Sequence, residues 1–130
     1  MKELEKLLKI MDDLRSKCPW DKKQTLGSLK NLTIEETYEL TEAIENKNFN
    51  NIKEELGDLL LHIVFYSKIA SEKNEFDFKD VVINLCDKLI YRHPHIYGSL
   101  LVNSEEEVKL NWENLKSKKT KKSILSGRKE

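Results

Sequence analysis

An apolar run at residues 59–66 constrains the fold of this chain more than any other feature, because seven of its eight side chains are apolar. The run is shorter than the about 20 residues that a membrane-spanning helix needs. A short apolar run fits a buried strand as well as a helix, but the helix formers Glu54, Glu55 and Leu56 precede it here, so we predict a helix. A helix that is apolar nearly all round must be covered on every side, and a chain of 130 residues can hardly surround it alone. We therefore expect a second subunit to cover part of this helix.

The composition and the spacing of apolar residues predict helices along most of the chain. Only 4 Gly and 2 Pro occur, while Glu, Lys and Leu are frequent. Capping-box spacing is found at Thr33 with Glu36, and at Asn51 with Glu54. We predict an ordered loop at residues 17–25, a short helical turn through Leu29 and Leu32, and five helices, over residues 2–16, 33–45, 51–73, 77–92 and 104–115. The expected fold class is all-α, an antiparallel bundle of four to five main helices that is completed by oligomerisation.

The overall charge, the cysteines and the N-terminus indicate one intracellular domain. We expect a domain at residues 1–116 and a flexible basic tail at residues 117–130. Basic and acidic residues balance at 23 each, so the net charge gives no indication of nucleic acid or a membrane, and we expect neither as a partner. Cys18 and Cys86 form no CxxC or Cys/His cluster, which predicts idle thiols in a reducing compartment. The N-terminus has no continuous apolar stretch, so we expect no signal peptide and a cytoplasmic location.

Acidic residues at helical spacing form the strongest candidate site. Glu36 and Glu39 lie three apart on one predicted helix, and Glu55 and Asp58 lie three apart on the next, so each pair faces one way. Antiparallel packing across a short linker would let the four carboxylates face one another. Converging carboxylates repel one another, and a divalent cation removes that repulsion. An all-oxygen set with room for water suits Mg²⁺, with Mn²⁺ as a substitute.

The same acidic residues also have a simpler interpretation. A Glu-x-x-Glu pattern is usually a solvated helix face, and Glu36 fits equally well as the capping partner of Thr33. Two neighbouring residues favour the metal site. Asp58 directly precedes the apolar run, where an idle charge would be costly. Gly57 lies inside a predicted helix at a cost of about 1 kcal/mol relative to Ala, which indicates close approach by a ligand or by backbone.

The acidic residues belong to longer motifs. Residues 35–39 read EETYE and residues 55–58 read ELGD, and further along the chain stand CPWDKKQT at 18–25, FDF at 76–78, DKL at 87–89 and RHPH at 92–95. Together these segments resemble the MazG-type nucleoside triphosphate pyrophosphohydrolases, whose signature is EExxE followed by ExxD. The likeness covers about residues 14–115. The signature alone is moderately specific, whereas its combination with CPWD and RHPH is strongly specific. The motifs occur once, as in a single-domain form of the family.

This resemblance implies a function and a role for each matching residue. It implies a helical bundle completed by a second subunit, as a homodimer or a dimer of dimers, and the Mg²⁺-dependent hydrolysis of nucleoside triphosphates to the monophosphate and pyrophosphate, which cleans the nucleotide pool. The residues that would hold the metal are Glu36, Glu39, Glu55 and Asp58. Glu35 would lie near the nucleotide or the attacking water, and Glu35 or Glu39 would accept the proton. The other residues that would bind substrate are Lys53, Lys88, Arg92 and Trp112.

Other interpretations have to be compared with this one. The alternative of another class is a non-catalytic, metal-binding helical interaction protein, which release of pyrophosphate from nucleoside triphosphates would exclude. A carboxylate-bridged di-iron bundle needs Glu-x-x-His, which the sequence lacks. Related enzymes acting on dUTP, dCTP or a phosphoribosyl-ATP intermediate carry similar acidic helices, but the CPWD and RHPH segments argue against them. We expect His62 to be packed rather than functional, while Trp20 fits base stacking and core packing equally well.

Overall fold

The helices follow one another through short connections. This computed structural model describes the backbone of residues 1–98 and 104–125 and the side chains of residues 1–98 and 104–118. The helices are α1 (Lys2–Lys17), α2 (Pro19–Lys22), α3 (Leu26–Glu45), α4 (Phe49–Glu72), α5 (Phe78–Arg92), α6 (Pro94–Tyr97) and α7 (Glu105–Leu125). The described residues contain no strand, so the predicted all-α fold class is confirmed. Among these residues, no helix combines the length and the apolar character that crossing a bilayer requires.

The chain divides into two compact units, Met1–Lys79 and Asp80–Glu130. The main helix pair of the first unit is the hairpin of α3 and α4. At the end of α3 the Asn48 N–H donates to the Ala43 carbonyl, and Lys47 takes a φ of 53°, which together make a Schellman turn. The Asn48 side chain then caps α4 by accepting from the Asn51 N–H. The helix therefore begins at Phe49, and the predicted start at Asn51 is wrong.

The predicted start of α3 is also wrong. The helix begins at Leu26, because Thr25 and Ser28 form a capping box in which each side chain accepts from the backbone N–H of the other. Thr33 lies inside the helix, two turns later. Its hydroxyl donates to the Leu29 carbonyl one turn back, so Thr33 does not act as a cap.

The core of the first unit is built by one side of each of its long helices. Its fully buried side chains come from α1, α3 and α4 and are Met11, Leu29, Val64, Phe65 and Ile69. Within the apolar run, however, Leu60 and Ile63 keep 38% and 41% of their surface exposed. The described part of the chain thus leaves one side of this run uncovered, and its coverage by a second subunit stays a prediction.

Arg15 orders the segment that connects α1 to α3. Its guanidinium donates to the carbonyl oxygens of Asp21, Lys22 and Gln24 at 2.7–3.0 Å. It also forms an ion pair with Glu72 at the end of α4, at 2.8 Å. The predicted order of this loop therefore has a specific cause, because one cation holds three of its carbonyl groups together.

The second unit contains most of α5 together with α6 and α7. Ser104 caps α7 by accepting from the Glu107 N–H at 3.2 Å, as its spacing predicts. The helix continues to Leu125 and so passes the predicted domain boundary at residue 116. Flexibility of the basic tail at residues 117–130 stays a prediction, and residues 126–130 lie outside the described residues.

Candidate metal centre

Three carboxylates converge where α3 packs against α4. Glu36 and Glu39 lie one turn apart on α3, and Glu55 lies on the facing turn of α4. Each of the three offers one carboxylate oxygen, and these oxygens all lie within 4.8 Å of one another. Glu36 and Glu55 are partly buried, while Glu39 is exposed. The antiparallel hairpin thus brings together three of the four carboxylates that their spacing singled out.

Asp58, the fourth predicted ligand, is not a member of this three-carboxylate cluster. It lies one turn beyond Glu55 on α4 and is partly buried. Its negative charge still contributes to raising the pKa of Glu36. Asp58 is therefore close enough to act on the cluster electrostatically, and its role as a ligand stays a prediction.

The cluster disfavours ionisation of its own members. Burial is the largest cause of a rise in the pKa of Glu55 from 4.5 to about 7, and hydrogen bonding with Glu39 and Glu36 and repulsion from their charges also raise it. The pKa of Glu36 is also raised, mainly by burial and further by the charges of Glu39 and Asp58, although the hydrogen bond from Glu55 opposes the rise. The carboxylates therefore repel one another at neutral pH.

The surroundings of the cluster fit a divalent cation. One oxygen of Glu36 and one of Glu55, Oε2 in each case, are buried without a hydrogen-bond partner. Among the described residues, no lysine, arginine or histidine forms an ion pair with Glu36, Glu39 or Glu55. Buried carboxylate oxygens normally have a partner, and an all-oxygen set of this kind is what Mg²⁺ and Mn²⁺ bind. The residues present thus suit a hard divalent metal.

A shallow pocket lies beside the cluster at the end of the hairpin. Its volume is about 200 Å³, and its lining residues are Glu39, Glu42, Ala43, Asn46, Asn51 and Glu55. Small-molecule sites usually enclose about 300–1,000 Å³. The pocket therefore has room for a cation and part of a ligand, and a larger ligand needs further surface around it.

The remaining predicted residues of the first unit lie on the same two helices. Glu35 is exposed on α3, next to Glu36, and does not join the cluster. Lys53 is exposed on α4, two residues before Glu55. Gly57 also lies on α4, where an added Cβ would meet nothing within 4 Å. No described backbone approaches Gly57, so close backbone contact within the chain does not explain this glycine.

Three predicted substrate residues lie in the second unit. Lys88 and Arg92 stand one turn apart on α5, and Trp112 lies on α7. The Arg92 guanidinium lies 5.2 Å from the centre of the Trp112 ring, in cation–π geometry. Arg92 is buried and its Nε has no hydrogen-bond partner, whereas Lys88 is partly buried. The second unit thus brings Arg92 and Trp112 together, and their function with the acidic cluster stays a prediction.

Two further side chains of the sequence motifs are His93 and Trp20. His93 packs its ring 5.0 Å from Trp112 and donates from Nδ1 to the Leu89 carbonyl, so its contacts lie within the second unit. Trp20 is 51% exposed and takes no part in the core cluster, so of its two interpretations core packing is excluded for the described chain.

The sequence prediction missed a polar network next to the cluster. His62 is buried, as expected, but it also forms a hydrogen bond between its Nδ1 and the Thr33 hydroxyl at 2.7 Å. The Tyr66 hydroxyl bonds to the same Thr33 oxygen. The available signal was a histidine within an apolar run with a tyrosine four residues later, but their common partner on α3 depends on the helix register, which the sequence alone does not give.

Comparisons with known proteins show similar sequences over most of the chain. The family model of the MazG nucleotide pyrophosphohydrolase domain matches residues 24–97, which include the whole hairpin of α3 and α4. The nucleoside triphosphate pyrophosphohydrolase of Escherichia coli K12 is 42% identical over 120 residues, which are 90% of this chain and 46% of that protein. The nucleoside triphosphate pyrophosphohydrolase/pyrophosphatase MazG of Thermotoga maritima is 49% identical over 115 residues, 87% of this chain and 44% of that protein.

A solved structure extends the comparison to the fold. A mazG-related protein from Thermotoga maritima superposes with a TM-score of 0.73 at 26% sequence identity, covering 87% of this chain and 98% of its own. The chain spans about half the length of the curated relatives from Escherichia coli and Thermotoga maritima.

Proposed function

The chain belongs to the MazG nucleotide pyrophosphohydrolase domain family, and from this premise we propose that it hydrolyses nucleoside triphosphates to the monophosphate and pyrophosphate. The observation that carries the proposal is the convergence of Glu36, Glu39 and Glu55 inside the segment that matches the family. Two relatives named nucleoside triphosphate pyrophosphohydrolases, at 42% and 49% identity, support the same reaction.

Glu36, Glu39 and Glu55 would hold the metal, with Asp58 as a fourth ligand beside them. The metal is Mg²⁺ in this proposal, with Mn²⁺ as a substitute, since both prefer oxygen ligands. A bound divalent cation would neutralise part of the phosphate charge and lower the pKa of its bound water. The two buried carboxylate oxygens without a partner support this role, because a cation would satisfy both.

The chain's own residues would bind the nucleotide and move one proton. Glu35 or Glu39 would accept the proton of the attacking water, because Glu39 belongs to the cluster and Glu35 lies next to Glu36 on α3. Lys53, Lys88 and Arg92 would contact the phosphates, where positive charge is needed to hold a triphosphate near carboxylates. Trp112 would contact the nucleotide. The stacking of Arg92 on Trp112 supports a shared site for these two residues.

We further propose a homodimer or dimer of dimers as the working form. The uncovered side of α4 carries an apolar stripe, whose side chains are spaced about one helical turn apart and are Leu56, Leu60 and Ile63. A monomer rarely exposes such a contiguous surface. The proposed hydrolase domain spans residues 1–116, and the two free cysteines support action in the reducing cytoplasm.

Product analysis tests the proposed reaction. Purified protein is mixed with Mg²⁺ and a panel of canonical, oxidised and deaminated nucleoside triphosphates, and the products are identified by ³¹P NMR. We expect equal amounts of monophosphate and pyrophosphate, and none after chelation of the metal. Glu55→Gln should abolish the reaction, while its neighbour Glu54→Gln, outside the cluster, should retain it.

Two results would contradict the proposal. Release of orthophosphate and a diphosphate would identify a different bond as the one cleaved. No turnover of any nucleotide, with metal binding retained, would favour the non-catalytic metal-binding protein instead.

A further inference from the structure

A hydrogen-bonded network joins α3 to α4 on the core side of the acidic cluster. The Thr33 hydroxyl of α3 contacts three partners: the Leu29 carbonyl at 3.1 Å, His62 Nδ1 at 2.7 Å and the Tyr66 hydroxyl. His62 and Tyr66 lie one turn apart on α4, and their rings meet edge to face at 6.4 Å. His62 is only 9% exposed, and Thr33 and Tyr66 are partly buried.

Counting protons assigns a direction to each bond. The Leu29 carbonyl can only accept, so the single Thr33 proton is donated to it. The other two partners must then donate to the two lone pairs of the Thr33 oxygen, from the Tyr66 hydroxyl and from His62 Nδ1. The network therefore places a proton on Nδ1 of His62 and gives the Thr33 hydroxyl three hydrogen-bond partners.

The network lies within one turn of the candidate metal ligands on both helices. Thr33 precedes Glu36 by three residues on α3, and His62 follows Asp58 by four on α4, so each lies on the same helix face as a predicted ligand. His62 is also close enough to Glu36 to oppose the rise of its pKa. A shift between α3 and α4 at this level would move Glu36 relative to Glu55.

We propose that Thr33, His62 and Tyr66 form a polar clamp that fixes α3 against α4 and thereby positions the Glu36 carboxylate for a divalent cation. These three are positioning residues and touch neither the metal nor the substrate. The proposal rests on the proposed function, because it needs a cation at the cluster. Substitution of a residue that orients a metal ligand without touching the metal typically weakens metal affinity by about 10–100-fold.

Metal affinity and thermal stability, measured on a matched pair of variants, test the clamp. Thr33→Val keeps the shape of the side chain and removes the hydroxyl, while Thr33→Ser keeps the hydroxyl. Mn²⁺ binding is followed by electron paramagnetic resonance, without nucleotide. We expect Thr33→Val to weaken Mn²⁺ binding about tenfold or more and Thr33→Ser to bind as the wild type does. If Thr33→Val does not fold, Tyr66→Phe, which removes one donor and keeps the ring, takes its place with the same expected direction.

The tautomer of His62 gives a readout that a purely structural role would not move. Long-range ¹H–¹⁵N NMR of the metal-free wild type should show the Nδ1–H form, and Thr33→Val should lose it. Wild-type Nε2–H, or unchanged Mn²⁺ affinity in Thr33→Val with a lowered melting temperature, overturns the clamp while leaving the metal site intact. Absence of Mn²⁺ binding by the wild type overturns the metal site itself, and the clamp with it.

Discussion

The carboxyl groups of Glu36 and Glu55 carry a free-energy cost at neutral pH. Each has a raised pKa and one buried oxygen without a hydrogen-bond partner. A structural carboxylate at a helix interface is normally paired with a cation or with donors, as Glu72 is with Arg15, and its pKa is then lowered. The contrast between Glu72 and Glu55 within α4 indicates that the acidic cluster serves function at the expense of stability.

The raised pKa of Glu55 makes the stability of the metal-free chain depend on pH. Because the folded pKa of about 7 exceeds the ordinary 4.5, the folded chain binds this proton more tightly than the unfolded chain does. The contribution to stability is complete below about pH 4.5 and is lost as the pH rises through about 7. In the presence of a chelator, the melting temperature of Glu55→Gln should therefore rise relative to that of the wild type as the pH increases from 4.5 to about 7.

Circular dichroism melts at several pH values measure this difference. Glu54→Gln is the matched control, because Glu54 is exposed and lies outside the cluster. A difference between Glu55→Gln and the wild type that stays constant with pH would show that the pKa of Glu55 is not raised in solution.

Glu39→Gln separates the charge of the cluster from its packing. Glu39 is exposed, and its charge raises the pKa values of Glu36 and Glu55. We expect turnover to fall by about 10²-fold or more, while the metal-free fold stays intact and melts slightly higher. Glu45→Gln, on the same helix and outside the cluster, is the control for steady-state assays. Equal turnover in Glu39→Gln and the wild type would remove Glu39 from the mechanism.

At the scale of helices, α1, the end of α3 and the end of α4 are predictable from the sequence, because periodic apolar residues run into clear breaks there. The start of α3 is not, because two capping patterns compete. Thr33 with Glu36 has the commoner pattern, yet Thr25 with Ser28 forms the box. Ser28 stands at the third helical position, where a capping box usually has glutamate. Only the structure shows which of the two pairs forms the box.

The candidate site is also predictable from the sequence only in part. Spacing on a helix predicts that Glu36 and Glu39 face one way, and the hairpin then brings Glu55 to them. Whether Asp58 joins the three-carboxylate cluster depends on how α3 and α4 align, and the Schellman turn at Lys47 lies between these two helices. That turn uses a lysine at positive φ, where glycine is usual, so the sequence gives little indication of it.

Gly57 on α4 offers a test at this scale. An added Cβ meets nothing within 4 Å in the described chain, so Gly57→Ala should stabilise the helix by about 1 kcal/mol. We expect a higher melting temperature for the metal-free protein together with lower turnover, because a ligand or a second subunit needs the open surface. A lower melting temperature, or unchanged turnover, would contradict this explanation of the glycine.

At the scale of the whole molecule, the described chain leaves an apolar stripe on α4 uncovered. If a second copy covers Leu56, Leu60 and Ile63, a charge in this stripe must oppose association. Leu60→Glu should shift the protein from dimer toward monomer in sedimentation velocity. Ile10→Glu is the control, because Ile10 has a similar exposure of 42% on α1. A wild type that sediments as a monomer, or a Leu60→Glu variant that stays dimeric, would contradict the predicted interface.

The central claim is that α3 and α4 hold a divalent cation between their carboxylates. An anomalous difference map from a crystal grown with Mn²⁺ tests it directly, because Mn²⁺ substitutes for Mg²⁺ and scatters anomalously. We expect a peak within coordination distance of Glu36, Glu39 and Glu55, and none in a Glu55→Gln crystal grown in the same way. A map with no peak at the cluster, and with these side chains turned into solvent, would contradict the claim.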